Sequence, residues 1–158
     1  ACWLEVMRTL REAGTQREVI FVATTAHELG HLGFQDFQQR RPGIVTDAFA
    51  WIHFGANVGA AGGPGGQFFA TDNDLVRQAR SVLEHAKVDP VEMALPGAPL
   101  PGESRIVVPG GGRIVTLIGR GNPVFHMECD RWPEVVDVEA TARLANGYTD
   151  LALQLSGG

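Results

Sequence analysis

Val19-Ile20-Phe21-Val22-Ala23, running on through Thr24-Thr25-Ala26-His27-Glu28-Leu29-Gly30-His31-Leu32-Gly33, is the stretch on which the reading of this chain turns. Five consecutive apolar residues, three of them β-branched, form the pattern of a strand buried on both faces, the kind that mainly parallel sheets contain. After the small residues Thr24 to Ala26 the period becomes helical. Leu29, Leu32 and Phe37 are apolar, while Gln35, Asp36, Gln38 and Gln39 are polar, and Pro42-Gly43 provides the stop. The prediction is a strand over about 18–25 and a helix from about 26 to 41. A strand feeding a helix through a tight turn is the repeating unit of α/β domains, whose ligands gather at the carboxyl ends of the strands.

Working outward, residues 2–13 carry Trp3, Met7 and Leu10 at helical spacing, ended by Gly14. The chain opens inside this pattern, without an initiator Met, a basic leader or a signal-type apolar stretch, which leads us to expect a piece of a longer protein. Downstream, Ala48 to Phe54 reads as a second strand. Gly55 to Gly66 holds six glycines and a proline, a connection without the strand-GxxxxGK[ST]-helix form of a phosphate loop. Gln67 to Ala70 is a short strand, and Thr71-Asp72-Asn73 is good N-cap chemistry for a helix over about 73–87. Residues 94–112, dense in Pro and Gly, are expected to wrap the surface. Ile114 to Ile118 is another buried-strand run. A last helix begins after Asp137 with Val138, Leu144, Tyr148, Leu151 and Leu155 along one side. The fold class predicted is α/β, one domain with a mainly parallel or mixed sheet between helices.

Composition narrows the function classes. The 158 residues are 44% hydrophobic and 20% charged, as in an ordinary globular protein, and suffice for one domain. Net charge is −5, the basic residues are scattered and Arg40-Arg41 is the only adjacent pair, so no nucleic-acid groove is expected. No apolar run approaches the roughly 20 residues needed to span a bilayer, so no membrane partner is expected either. Cys2 and Cys129 suffice for one disulfide but not for a disulfide framework.

The histidines carry the chemistry. His27 follows the first strand, His53 closes the second and His126 lies just beyond the third, where an open α/β sheet keeps its ligands. His27-Glu28-x-x-His31 also matches H-E-x-x-H, in which two imidazoles one helical turn apart bind zinc and the Glu activates water. Phe37 stands where such motifs place a third ligand, and Gly30 and Gly33 weaken a helical platform. His85, between Glu84 and Lys87, reads as a solvated helix residue. Asp130, four residues after His126, suits a carboxylate that orients an imidazole.

Two anchors together resemble the co-catalytic zinc aminopeptidases and carboxypeptidases, a family that also includes glutaminyl cyclases and the transferrin receptor ectodomain. The first is the apolar strand and Thr24 to Gly33, which overlays the family's Glu-Glu-x-Gly-x-x-Gly with His27 at the first Glu and Glu28 at the second. The other is His126 to Asp130 followed by Val136-Asp137 and a long helix, which overlays the family's His-x-x-x-Asp and final helix. The resemblance implies a zinc-peptidase-like sandwich lacking its leading strands. The family's His-x-Asp and bridging-Asp motifs precede the matched segment, and Gly55 stands near the position of a later Asp ligand.

The expected site is therefore catalytic His27 and Glu28, with Glu28, His126, His31 and His53 as metal ligands and Asp130 behind His126. One zinc ion or none is expected, because two zinc ions need bridging carboxylates. The corresponding function is a divergent zinc-dependent peptidase or amidohydrolase-like domain acting on a peptide or small amide. The alternative is a non-catalytic binding or scaffold module. Loss of the leading strands would expose a sheet edge, which makes a homodimer the expected assembly.

Overall fold

The computed structural model describes residues 2–62, 66–88, 91–93 and 100–157. Among them the order is α1 (Cys2–Ala13), α2 (Leu32–Arg40), α3 (Ile44–Asp47), β1 (Trp51–Phe54), β2 (Gly66–Ala70), α4 (Asn73–His85), β3 (Val91–Met93), α5 (Ser104–Val107), β4 (Ile114–Gly119) and α6 (Val138–Ser156). A 3-10 turn, His27–Leu29, lies between α1 and α2. No helix among these residues is long and apolar enough to cross a membrane.

The sheet has the order β1-β4-β2-β3. β1 runs parallel to β4 and β2 parallel to β3, while β2 and β4 are antiparallel. β4 lies inside the sheet, and Ile114, Val115, Thr116 and Leu117 are all buried. Because side chains alternate across a strand, β4 feeds two cores. Val115 and Leu117 pack with Phe68, Leu75, Leu144 and Tyr148 in the larger core, which α1, α4 and α6 cover. Ile114 packs with Phe34, Val45 and Val107, from α2, α3 and α5, in a smaller core on the other face. Helices thus cover both faces of a mixed sheet, and the α/β class predicted from the sequence is what the chain forms. Thr116 shares the parity of Ile114, so the smaller core contains a polar residue, and its register partner on β1 is His53.

Two helix starts form as their sequences predict. The Asp72 carboxylate accepts the Asp74 and Leu75 N–H groups at 3.0 Å each, a cap contributing about 1 kcal/mol. Asp137 accepts the Ala140 N–H at 2.8 Å and starts α6.

Other expectations need correction. Residues 18–24 form no strand, and Val19 and Ile20 are exposed. The ends of this segment are tied by hydrogen bonds outside the sheet ladder. The Gln16 and Arg17 N–H groups are bonded to Ser156 O at 3.1 Å, and the Thr24 hydroxyl is bonded to Glu103. The helix expected from 26 to 41 is broken at Gly30 and His31, both left-handed. α1 buries Cys2, Val6 and Leu10 more deeply than Trp3 and Met7, and Val138 on α6 is exposed. Of the stretch expected to wrap the surface, 94–99 lie outside the described residues. Its later part sends α5 inward with Ser104 and Val107 buried, because Val107 completes the smaller core. Cys2 and Cys129 are unpaired, one buried in the larger core and the other exposed.

Candidate metal centre

The turn that carries the H-E-x-x-H motif is built from left-handed residues. Ala26 (φ 57°) leads into the 3-10 turn, Gly30 (φ 83°) closes it and His31 (φ 61°) stands immediately before α2. A left-handed conformation costs a non-glycine residue on the order of 1–2 kcal/mol, so Ala26 and His31 are held there by their surroundings. Gly33 allows the close approach: a Cβ there would lie 2.6 Å from Thr25 O. His31 is therefore not one helical turn along the face from His27, yet its N–H still bonds His27 O at 3.1 Å. The two rings meet edge to face with centroids 4.4 Å apart.

The carboxylate that organises these histidines is Glu103, at the start of α5. His27 Nδ1 lies 3.2 Å from Glu103 Oε1 and His31 Nδ1 3.7 Å from the same oxygen, while His53 Nε2 lies 3.2 Å from Oε2. Thr24 Oγ1 donates to Oε1 at 3.4 Å. On the far side of its ring, His53 Nδ1 is hydrogen-bonded to Thr116 Oγ1 across the β1–β4 ladder, which leaves Nε2 facing Glu103. His31, His53 and Glu103 are largely buried, and His27 closes the cluster at the surface with half its side chain exposed. Gly102 (φ 52°) makes room for the rings, because a Cβ there would lie 2.8 Å from His53 Cε1 and 3.4 Å from His27 Cε1.

Burial and charge tune the cluster in complementary directions. Burial lowers the His53 pKa and outweighs the Glu103 charge that pulls it up, so the ring is neutral near pH 7. For Glu103 burial opposes ionisation, but the His27 hydrogen bond, a backbone hydrogen bond and the neighbouring imidazole charges overcome it. The carboxyl titrates below the ordinary Glu value.

This donor set fits a small, borderline-soft cation. One ligand atom from each of His27, His31 and Glu103 lies within 4.8 Å of the other two. Tetrahedral zinc with bonds of about 2.1 Å would hold its ligand atoms about 3.4 Å apart, close to the two distances measured to Glu103. His31 Nδ1 is buried without a hydrogen-bond partner. Leaving a buried polar group unsatisfied costs about 1–3 kcal/mol, and a cation shared with Glu103 would remove that cost.

The expected ligands divide into two places. His31 and His53 join His27 around Glu103, whereas Glu28 and His126 meet each other. Their closest approach is 3.8 Å, Nε2 to Oε1, with both side chains well exposed. Among the described residues no third His, Cys, Asp or Glu joins that pair as a ligand set. Asp130 does not orient His126; its carboxylate accepts from Asn122 Nδ2 at 3.1 and 3.2 Å, and Asn122 also bonds Asn57. Phe125, whose ring centroid is 4.0 Å away, flanks His126 instead. Gly55 has no room for a carboxylate, since a Cβ there would lie 2.5 Å from Leu117 O. His85 is exposed on α4, as expected.

The sequence reading missed Glu103. It sits in a Pro- and Gly-dense stretch with no periodicity, and its only local signal is an acidic residue placed directly after Gly102 at a helix start. No family model and no curated protein matches the chain.

Proposed function

We propose that this chain is a divergent metal-dependent hydrolase-like domain that holds one zinc ion between His27, His31 and Glu103, with His53 beside them. The observation carrying this reading is Glu103 itself, a largely buried carboxylate facing three imidazoles, one of which has a buried nitrogen with no other partner. The approach of Glu28 to His126, with His126 ahead of α6, supports a zinc-peptidase-like ancestry, with a peptide or small amide as substrate. Bound zinc would supply Lewis acidity toward a carbonyl and lower the pKa of water. The chain's own residues set up the rest. Glu103 neutralises charge, and its carboxylate and the Thr116 hydroxyl hold the His53 ring from its two sides.

A second reading keeps the metal and drops turnover. It is favoured by Glu28, the carboxylate expected to work on water, which lies beside His126 at 3.8 Å and is largely exposed. The deciding experiment loads the chain with zinc, removes the excess, measures metal per chain and assays hydrolysis of amino-acid anilides and short peptides. One zinc per chain with turnover abolished by Glu103→Gln supports the hydrolase. One zinc without turnover supports a binding module. No zinc, or close to two, defeats the site.

A further inference from the structure

The open edge of β1 and the segment that runs beside it belong together. β1 is an edge strand with β4 as its neighbour on one side. The Trp51 and Gly55 N–H groups bond Arg113 O and Leu117 O, so the odd residues face β4. In a parallel ladder the intervening residues present their groups to the opposite edge, and here these are Ile52 and Phe54. No backbone hydrogen bond links 18–24 to β1. Both line a cleft of about 680 Å³, to which the segment contributes Ile20, Phe21 and Val22 and β1 contributes Trp51, Ile52 and Phe54.

Side-chain contacts at the two ends of the segment fall near the two ends of β1. Just before the segment, the Arg17 guanidinium lies 4.1 Å from the centroid of the Phe49 ring, two residues ahead of β1. Its last residue lies at the carboxyl end of β1, where Thr24 bonds the same carboxylate that His53 faces. Both ends are tied down, and the middle, Val19 to Ala23, is the most strand-like run in the sequence, held off the edge it matches. A strand that docks needs only to close the gap to the usual spacing of about 4.8 Å. Docking would satisfy the free β1 groups and cover the apolar walls.

We infer that residues 18–24 are a strap poised to close on β1 as a further parallel strand, and that filling the His27/His31/Glu103 site closes it. The trigger rests on the metal reading above. Drawing His27 and His31 toward Glu103 tightens the turn that follows Thr24 and pulls on the carboxyl end of the strap. An open strap leaves the cleft accessible, and a closed one seals the flank of the site.

Amide hydrogen exchange followed by mass spectrometry tests this on the full chain, with zinc alone as the probe and bound zinc counted in the same samples. The expected result is exchange slowed at least tenfold on zinc binding, both across 19–23 and at Ile52 and Phe54. Ile20→Pro, which cannot donate to the ladder, and Ile20→Lys, which keeps the donor but loses the apolar contact, should abolish this protection at saturating zinc and, by linkage, weaken zinc binding about tenfold without abolishing it. Zinc bound with unchanged exchange overturns the strap and leaves the metal site standing. Failure to bind zinc removes both. Protection of Ile52 and Phe54 without 19–23 on adding an extended peptide would make the edge a peptide groove and overturn the strap.

Discussion

The cluster around Glu103 and the Glu28–His126 pair use the same two residue types and begin at adjacent residues, His27 and Glu28, yet they are different chemical objects. In the first, the Glu103 side chain keeps 19% of its exposure and His31 and His53 keep 13% and 16%. Every ring there is placed by something rigid: a β-ladder threonine, a left-handed turn or the absent Cβ of Gly102. In the second, both side chains are mostly in water, at 75% and 61%, on two turns with no third ligand among the described residues. Exposed ion pairs contribute roughly 0–1 kcal/mol, whereas partly buried, braced groups respond strongly to charge and to metal. Residue identity nominates a site, and support from the fold decides it.

The largest expected break in this comparison is Glu103→Gln. It keeps the shape but removes the charge that three imidazoles face, and zinc affinity should fall at least a hundredfold, about 2.7 kcal/mol. Competition with a chromogenic chelator measures it, and a loss below fivefold would mean that Glu103 is not the organising ligand.

Acid should produce the next largest effect. Burial holds the folded His53 pKa below the ordinary 6.5, so the folded state disfavours the proton that the unfolded chain accepts. Its contribution to stability is complete above pH 6.5 and is lost as pH falls through that value toward the folded one. The Glu103 carboxyl is held below its ordinary 4.5, so its contribution is present above that pH and lost below, as pH falls through the folded value. Melting temperature should therefore decline in two windows, the upper one removed by His53→Asn. An unchanged upper window in that variant would assign it to another group. Bound zinc should also be released on acidification, since imidazole ligates only when neutral.

Gly102→Ala should act more gently, reducing zinc affinity roughly tenfold. The added methyl would press on His53 and the left-handed φ becomes strained, at a cost of about 1–2 kcal/mol. Affinity equal to that of the unsubstituted chain would show that the rings have slack. The smallest effect should come from Glu28→Gln with His126→Ala. That double variant should change stability by no more than about 0.5 kcal/mol and zinc affinity by less than twofold, by thermal unfolding and chelator competition. A tenfold loss would restore the pair as metal ligands.

Local chemistry explains what could be read beforehand. β1, β2, β4, α4 and α6 follow from apolar runs and from Asp72 and Asp137 at helix starts, signals carried within a few residues. The approach of Glu28 to His126 across almost a hundred positions came from the order of motifs, not from either residue alone. Val19 to Ala23 reads as buried strand because apolar content records a preference for burial, whereas pairing depends on what distant anchors such as Ser156 and Glu103 allow. Glu103 is hidden for a related reason. Functional loop residues are positioned by the scaffold beneath them, and nothing local marks a carboxylate that will face three rings from other parts of the chain.

Tyr148, the only tyrosine in the chain, offers an optical consequence. Its hydroxyl lies 3.2 Å from His53 O and its ring is tilted against Phe54 at 4.3 Å, so α6 grips β1 through one phenol. Burial pushes its ionisation far above the ordinary range. In an alkaline titration the near-ultraviolet tyrosinate band should stay silent through pH 10 and emerge only when α6 parts from β1. The chain thus carries an intrinsic chromophore that reports, without a label, whether the strand holding His53 is still in place.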